Sequence, residues 1–231
     1  MCGRFTLTSS AQKLAEHFDV PVESELQPRY NIAPGQPVRV VRAEAGGGRE
    51  LASTRWGLVP RWAKDPAMGQ RMINARSETV AEKPAFRDAL RRRRCLLPAD
   101  GFYEWADTGA GKQPYYIQLG DEAPFGMAGL WETWQAAEDE VLETCTIVTM
   151  SAAASIEHLH ARMPVILAPG DFERWLDPAL SDPEVLLPLL APAAGERLTF
   201  HPVSTRVNQI RFDDPECLQV APEAPRQESL F

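Results

Sequence analysis

The 231-residue sequence predicts an α+β fold, on three observations. Short runs rich in β-branched and aromatic residues outnumber the helical patterns. No strand–helix–strand alternation recurs, so a parallel, doubly wound sheet is not expected. Twenty prolines mark frequent turns between short elements.

Taken in order, a first helix follows Ser9 and Ser10, with Leu14, His17 and Phe18 at helical spacing. Strand-like runs cover Val38–Arg42 and Leu51–Val59. A second helix starts at Pro84, a suitable first-turn proline, and runs to Arg94. Strands follow at Cys95–Leu97, Phe102–Trp105, Pro114–Leu119, Phe125–Trp131 and Thr144–Met150. A third helix is expected over Ser151–His158 and a strand over Met163–Leu167. A fourth helix begins near Asp171, with Phe172, Trp175 and Leu176 on one face, and a fifth follows Ser181, with Pro183 in its first turn. Leu198–Val203 is the last strand. Gly46-Gly47-Gly48 reads as a surface turn and Asp107–Lys112 as a hairpin-like loop; neither resembles a phosphate loop. With no internal repeat or linker, residues 1–220 form one domain, and a Pro/Glu/Gln-rich, mobile tail follows from about Ala221.

At 44% hydrophobic and 24% charged residues, the composition is that of an ordinary globule with a sizeable core. No apolar run approaches the ~20 residues of a membrane helix, and the N-terminus has no apolar signal region. Cys2, Cys95, Cys145 and Cys217 form no CxxC pair, which fits neither a disulfide framework nor a zinc site. A reducing cytoplasm is expected, and no metal or cofactor. The net charge of -8 alone argues against nucleic acid. Yet residues 1–112 carry 18 Lys+Arg against 13 Asp+Glu, and residues 113–231 carry 6 against 19. That asymmetry permits a local basic face, on which nucleic-acid affinity depends.

Cys2 is the first residue with distinctive chemistry. Once Met1 is removed it carries a free α-amine beside a thiol, with ordinary pKa values of roughly 7.7–8.0 and 8.5. Such an aminothiol condenses with an aldehyde to an imine, and the thiol then closes a five-membered thiazolidine. An internal cysteine cannot do this.

Met-Cys-Gly-Arg-Phe (1–5) resembles the start of the SRAP (SOS response-associated peptidase) family. The resemblance continues through Arg29-Tyr-Asn-Ile-Ala-Pro-Gly35, Trp56-Gly-Leu-Val-Pro-Arg-Trp62, Ile73-Asn-Ala-Arg-Ser-Glu78 and Pro98-Ala-Asp-Gly-Phe-Tyr-Glu-Trp105. It ends with Pro114-Tyr-Tyr-Ile117, Ile147-Val-Thr-Met150, His158-Leu-His-Ala-Arg-Met-Pro164 and His201-Pro-Val-Ser204. It implies a single α+β domain around a barrel-like, mostly antiparallel β core with peripheral helices. It also implies a sensor of abasic sites in single-stranded DNA that bonds to the ring-opened deoxyribose aldehyde through Cys2.

The same resemblance implies the site. Asn74 matches the family asparagine near the cysteine, and its amide can hold the amine and thiol without consuming a proton. Glu104 shares a strand face with Phe102, and a partly desolvated carboxylate there suits proton transfer. His160 is chosen over His158 by the family's His-x-Arg-x-Pro spacing and would assist ring opening and thiazolidine closure. Arg4, Arg76 and Arg162 resemble phosphate-binding arginines, while Asn31, Pro34 and Trp62 resemble loop positions that contact or wedge apart the bases beside the lesion. Some members carry a second tryptophan after the first; Ala63 stands there in this sequence. The run Arg91–Arg94 reads instead as a solvated helix end.

Two other functions use these residues: a thiol peptidase with Cys2 as nucleophile and His160 as base, whose groups would also remove Met1, and a non-covalent single-strand binder. Separately, Gln227-Glu-Ser-Leu-Phe231 resembles the pentapeptide by which bacterial polymerases and repair proteins bind the sliding clamp. There Leu230 and Phe231 would fill an apolar groove and Gln227 would make polar contacts at its edge.

Overall fold

The computed structural model describes residues 2–24, 26–109, 111–135, 141–191 and 197–222. The proposed clamp-binding residues Gln227, Leu230 and Phe231 lie outside them. The chain opens with β1 (Phe5–Leu7), α1 (Ala11–Phe18), β2 (Arg29–Ile32), β3 (Pro37–Ala43) and β4 (Arg49–Trp56). Next come β5 (Asn74–Arg76), α2 (Arg87–Arg92), β6 (Arg94–Ala99), β7 (Gly101–Asp107) and β8 (Lys112–Leu119). The remainder is β9 (Phe125–Gln135), β10 (Val141–Ser151), β11 (Arg162–Pro164), β12 (Ile166–Leu167), α3 (Phe172–Leu176), α4 (Pro183–Leu186) and β13 (Leu198–Pro202).

Five strands close on themselves. β4 pairs with β3, β3 with β6, β6 with β9, β9 with β10, and β10 returns to β4. Only that last closure is parallel, with Thr144 opposite Arg55 and Cys145 opposite Trp56. So small a ring has no pore; side chains such as Leu96, Leu97, Ala128 and Ile147 fill it and are fully buried. A second, antiparallel sheet runs β13-β8-β7-β1-β2. Phe5, Phe102 and Ile117 join it to the ring's core, where Phe5 meets Trp56 edge-on with centroids 5.3 Å apart. Its opposite face holds Tyr103, Tyr116, Val203 and Val207. This is the expected α+β domain with a barrel-like core.

Local signals set most boundaries. Ser10 caps α1 by accepting from Lys13 N–H, and Asp182 caps α4 by accepting from Glu184 N–H. Three expectations change. Ser151–His158 is not a helix: Ser151 ends β10 and turns follow, because Ala152 N–H reaches across to Ala161 O (3.0 Å) and shapes the segment as a loop. Met163–Leu167 is two strands, because the chain changes partner at Val165: Met163 lies opposite Met150 on β10, and Ile166 opposite Met127 on β9. The second helix is shorter than Pro84–Arg94, since Arg94 starts β6. There its buried guanidinium donates to Leu90 O and Trp175 O, and Arg93 donates to Glu132 (2.7 Å). Half of the arginine run is therefore internal scaffolding rather than a solvated helix end.

Gly57 sits where β4 hands over to the loop carrying Trp62. Its φ is +122°, and a Cβ there would lie 2.6 Å from Gly69 O. Backbone strain and a backbone clash then coincide, so Gly57→Ala is expected to cost about 2–4 kcal/mol in urea unfolding. A change below about 0.5 kcal/mol would show that the two loops part easily.

Candidate active site

The N-terminal segment threads between β5 and β7. Tyr103 N–H donates to Arg4 O (3.0 Å), and Asp100 N–H donates to Thr6 O (3.0 Å). The Asp100 carboxylate in turn accepts from Thr8 and Ser9 N–H. These bonds pull Cys2 into the interior, where it is fully buried. Asn74 on β5 donates through Nδ2 to Cys2 O (2.9 Å). Its Oδ1 is also buried and accepts no hydrogen bond among the described residues.

Glu104 on β7 follows Phe102 on the face toward Cys2 and is 4% exposed. Burial raises its carboxyl pKa above the ordinary value, against the pull of His160. Its Oε1 lies 3.9 Å from His160 Nδ1, to which Arg162 N–H donates at 3.0 Å. The Cys2 thiol is pushed far up, first by burial and second by the negative charge of Glu104. At rest the thiol is protonated.

The expected arginines differ in their surroundings. Arg76, at the end of β5, is exposed. Arg162 is held by Glu78 through both carboxylate oxygens, at 2.5 and 2.9 Å, and by Thr149 O at 2.6 Å. Glu78 is 84 positions away in sequence, so no local spacing revealed the pair. Arg4 donates through Nη1 to Asn31 Oδ1 (2.7 Å) and Val207 O (2.6 Å). Asn31 itself is fully buried, and its Nδ2 donates to the carbonyls of Val207, Gln209 and Phe212. Its amide thus orients Arg4 and does not reach solvent.

Pro34 and Trp62 occupy neighbouring loops at one end of β4. Gly35 N–H donates to Trp56 O (2.8 Å) and Trp56 N–H to Gln36 O (3.0 Å), which pins the Pro34 turn to the start of the Trp62 loop. Trp134 Nε1 donates to Ala63 O (2.7 Å) and packs with Ala63 and Val59. Ala63 therefore faces inward, while Trp62 beside it is 58% exposed.

Asn74 and Glu104 line different clefts. Asn74, Trp62, Arg76 and Lys83 border one of about 500 Å³. Glu104, His160, Arg4, Trp105, Lys112 and Asn208 border the other, of about 550 Å³. Each cleft carries cationic side chains, Arg76 and Lys83 in the first and Arg4 and Lys112 in the second, and the buried Cys2 bonds to Asn74 of the first.

The chain belongs to the SRAP family: the model of the SOS response associated peptidase (SRAP) matches residues 1–210. It is 41% identical over 223 residues to the abasic site processing protein YoqW of Bacillus subtilis, covering 95% of this chain and 99% of that one. It is 31% identical over 226 residues to the abasic site processing protein YedK of Escherichia coli, covering 95% and 99%. It is 39% identical over 228 residues to the abasic site processing protein HMCES of Gallus gallus, covering 85% of this chain and 67% of that one. A crystal structure of a Bacteroides thetaiotaomicron protein superposes with a TM-score of 0.84 at 28% identity, covering 95% of this chain and 100% of that one.

Proposed function

We propose that this protein processes abasic sites in single-stranded DNA by bonding covalently to them through Cys2. Hydrolysis of the Met1–Cys2 bond, by the same groups, first releases methionine and frees the α-amine. The amine then condenses with the ring-opened sugar aldehyde and releases one water. The thiol adds to the resulting C=N bond and closes a thiazolidine, its proton passing to the ring nitrogen. The observation that carries this reading is the placement of Cys2 between Asn74 and the Glu104–His160 pair. Asn74 Oδ1 offers an acceptor for the amine or thiol. Glu104 accepts and returns protons as water leaves, and His160 acts at the sugar ring oxygen. Incubation with abasic single-stranded DNA is expected to give a species that survives a denaturing gel. Its intact mass should equal Met1-free protein plus DNA minus one water. Absence of that species overturns the proposal.

A thiol peptidase acting in trans fits less well. Such enzymes work with a thiolate at depressed pKa, whereas burial and Glu104 both push the Cys2 thiol up.

Exposed Arg76 is assigned to a backbone phosphate. Arg76→Ala is expected to weaken DNA binding and reduce the slope of log affinity against log salt by about 0.7, one single-strand phosphate contact. An unchanged slope would remove Arg76 from the interface.

The C-terminal segment is proposed to bind the sliding clamp through Gln227, Leu230 and Phe231, raising the local concentration of the protein at replication forks. A peptide of residues 221–231 should bind a bacterial clamp at about micromolar Kd. The double variant Leu230→Ala/Phe231→Ala should lose that binding and keep DNA cross-linking. No binding by calorimetry at high peptide concentration would reject the tether.

A further inference from the structure

At Thr149, β10 pairs with Arg76 of β5 on one side and with Pro164 of β11 on the other. β5 carries Asn74, and His160 lies just before β11. Each of these flanking strands has three residues, so few backbone bonds hold either in place. A side-chain ion pair spans them: Arg162 of β11 reaches over β10 to Glu78, just beyond the end of β5. We propose that Glu78 is a positioning residue for adduct formation: its pair with Arg162 straps β5 to β11 across β10 and so sets His160 against Asn74 on either side of Cys2. This rests on the covalent reading above and gives a role to a residue that the Ile73–Glu78 motif contained without one.

Four observations support it. The contact is a two-pronged fork, from Arg162 Nη1 to Glu78 Oε1 (2.5 Å) and from Nη2 to Oε2 (2.9 Å), which fixes direction as well as distance. Both partners share an anchor: Thr149 O accepts from Ser77 N–H (2.8 Å), next to Glu78, and from Arg162 Nη2 (2.6 Å). Arg162 Nε is buried and has no hydrogen-bond partner among the described residues, so of the five guanidinium N–H groups one, on Nη1, is left for a substrate. The side chain is built chiefly as a strut. Lastly, the Arg162 backbone orients the imidazole, since its N–H donates to His160 Nδ1 (3.0 Å). A displaced Arg162 would carry that donor away with it. The pair is also unequal in burial: the Arg162 side chain is 17% exposed and that of Glu78 49%. Removing the carboxylate therefore leaves a largely buried guanidinium without its counter-charge, while opening no cavity in the core.

The test uses Met1-free protein, verified by intact mass, with abasic single-stranded DNA in excess. The rate of adduct formation is followed on denaturing gels as a function of DNA concentration. Glu78→Ala should lower the maximal rate about tenfold, the scale of a small misplacement of a reacting group, and leave the half-saturating DNA concentration within twofold. Glu78→Gln keeps the shape and one acceptor oxygen, so it should lose less than Glu78→Ala; it serves as the measured variant if alanine does not fold. The decisive comparison is in a His160→Ala background. There Glu78→Ala should change the maximal rate by less than twofold, because the group it positions is already gone. A general loss of structure would slow both backgrounds alike. A wild-type maximal rate for both Glu78 variants, equal slowing with and without His160, or an effect confined to the half-saturating concentration would overturn the positioning role. Failure of the covalent reading itself would show differently, as no adduct from the wild-type protein, and the positioning role would fall with it.

Discussion

Replacing Cys2 by alanine is expected to abolish the denaturation-resistant adduct with abasic single-stranded DNA while leaving non-covalent binding in place. Supplied as the Met1-free chain, the variant keeps its α-amine, so an imine still forms; without sulfur no ring can close on it. An imine hydrolyses on denaturation, whereas a thiazolidine is a closed ring. The expected loss is therefore of the stable product and not merely of rate. Cys2→Ser should retain a weak remnant, because an amino-alcohol closes less readily than an aminothiol. The site makes this clean: Cys2 is held by its backbone carbonyl through Asn74 Nδ2, and alanine keeps that carbonyl. Full-yield, stable cross-linking by Cys2→Ala on a denaturing gel would overturn the mechanism.

Glu104→Gln is expected to slow adduct formation by about 10²–10⁴-fold at saturating DNA, the range for a positioned acid–base group. Glutamine keeps the shape and cannot shuttle a proton. Because burial raises the carboxyl above its ordinary 4.5, the ionised, proton-accepting form is lost as pH falls through that raised value. The wild-type rate should therefore decline on the acid side well before an ordinary glutamate would titrate. The Gln variant should lack that limb. Stability carries the opposite sign. A carboxylate with a raised folded pKa destabilises the fold as pH rises above the unfolded pKa. At neutral pH the Gln variant should then melt at or above the wild-type Tm while its rate collapses. A wild-type rate at saturating DNA would remove Glu104 from the mechanism, and a large drop in Tm would mark it as structural.

The legible part of the fold was its longer, more apolar strands. Val38–Arg42, Pro114–Leu119, Phe125–Trp131 and Thr144–Met150 all lie within strands of the structure, because each carries several buried apolar side chains. The strands missed were β1, β2 and β5, of three or four residues each. They carry or adjoin Arg4, Asn31, Asn74 and Arg76. Such segments have too few residues for a period and too many polar side chains for an apolar run. They are extended only because β7, β10 and each other supply partners. Of the strands that carry the candidate site, β7 was visible as Phe102–Trp105, and these three were not.

By itself the sequence determined the α+β class, the single domain and, through spaced motifs, the candidate chemistry around Cys2, Asn74, Glu104 and His160. Those properties reside in residue type and local order, which a chain displays before it folds. Tertiary structure alone decided that Asn31 serves Arg4 from within, that Glu78 holds Arg162, that Arg94 is buried in the scaffold, and that Trp105 shares a cleft with Glu104 and His160. Each is a contact between residues 27 to 84 positions apart, or a cleft shared by separate strands. Ring closure and sheet pairing bring such groups together. No period or motif along the chain encodes which donor will face which acceptor once the core has formed.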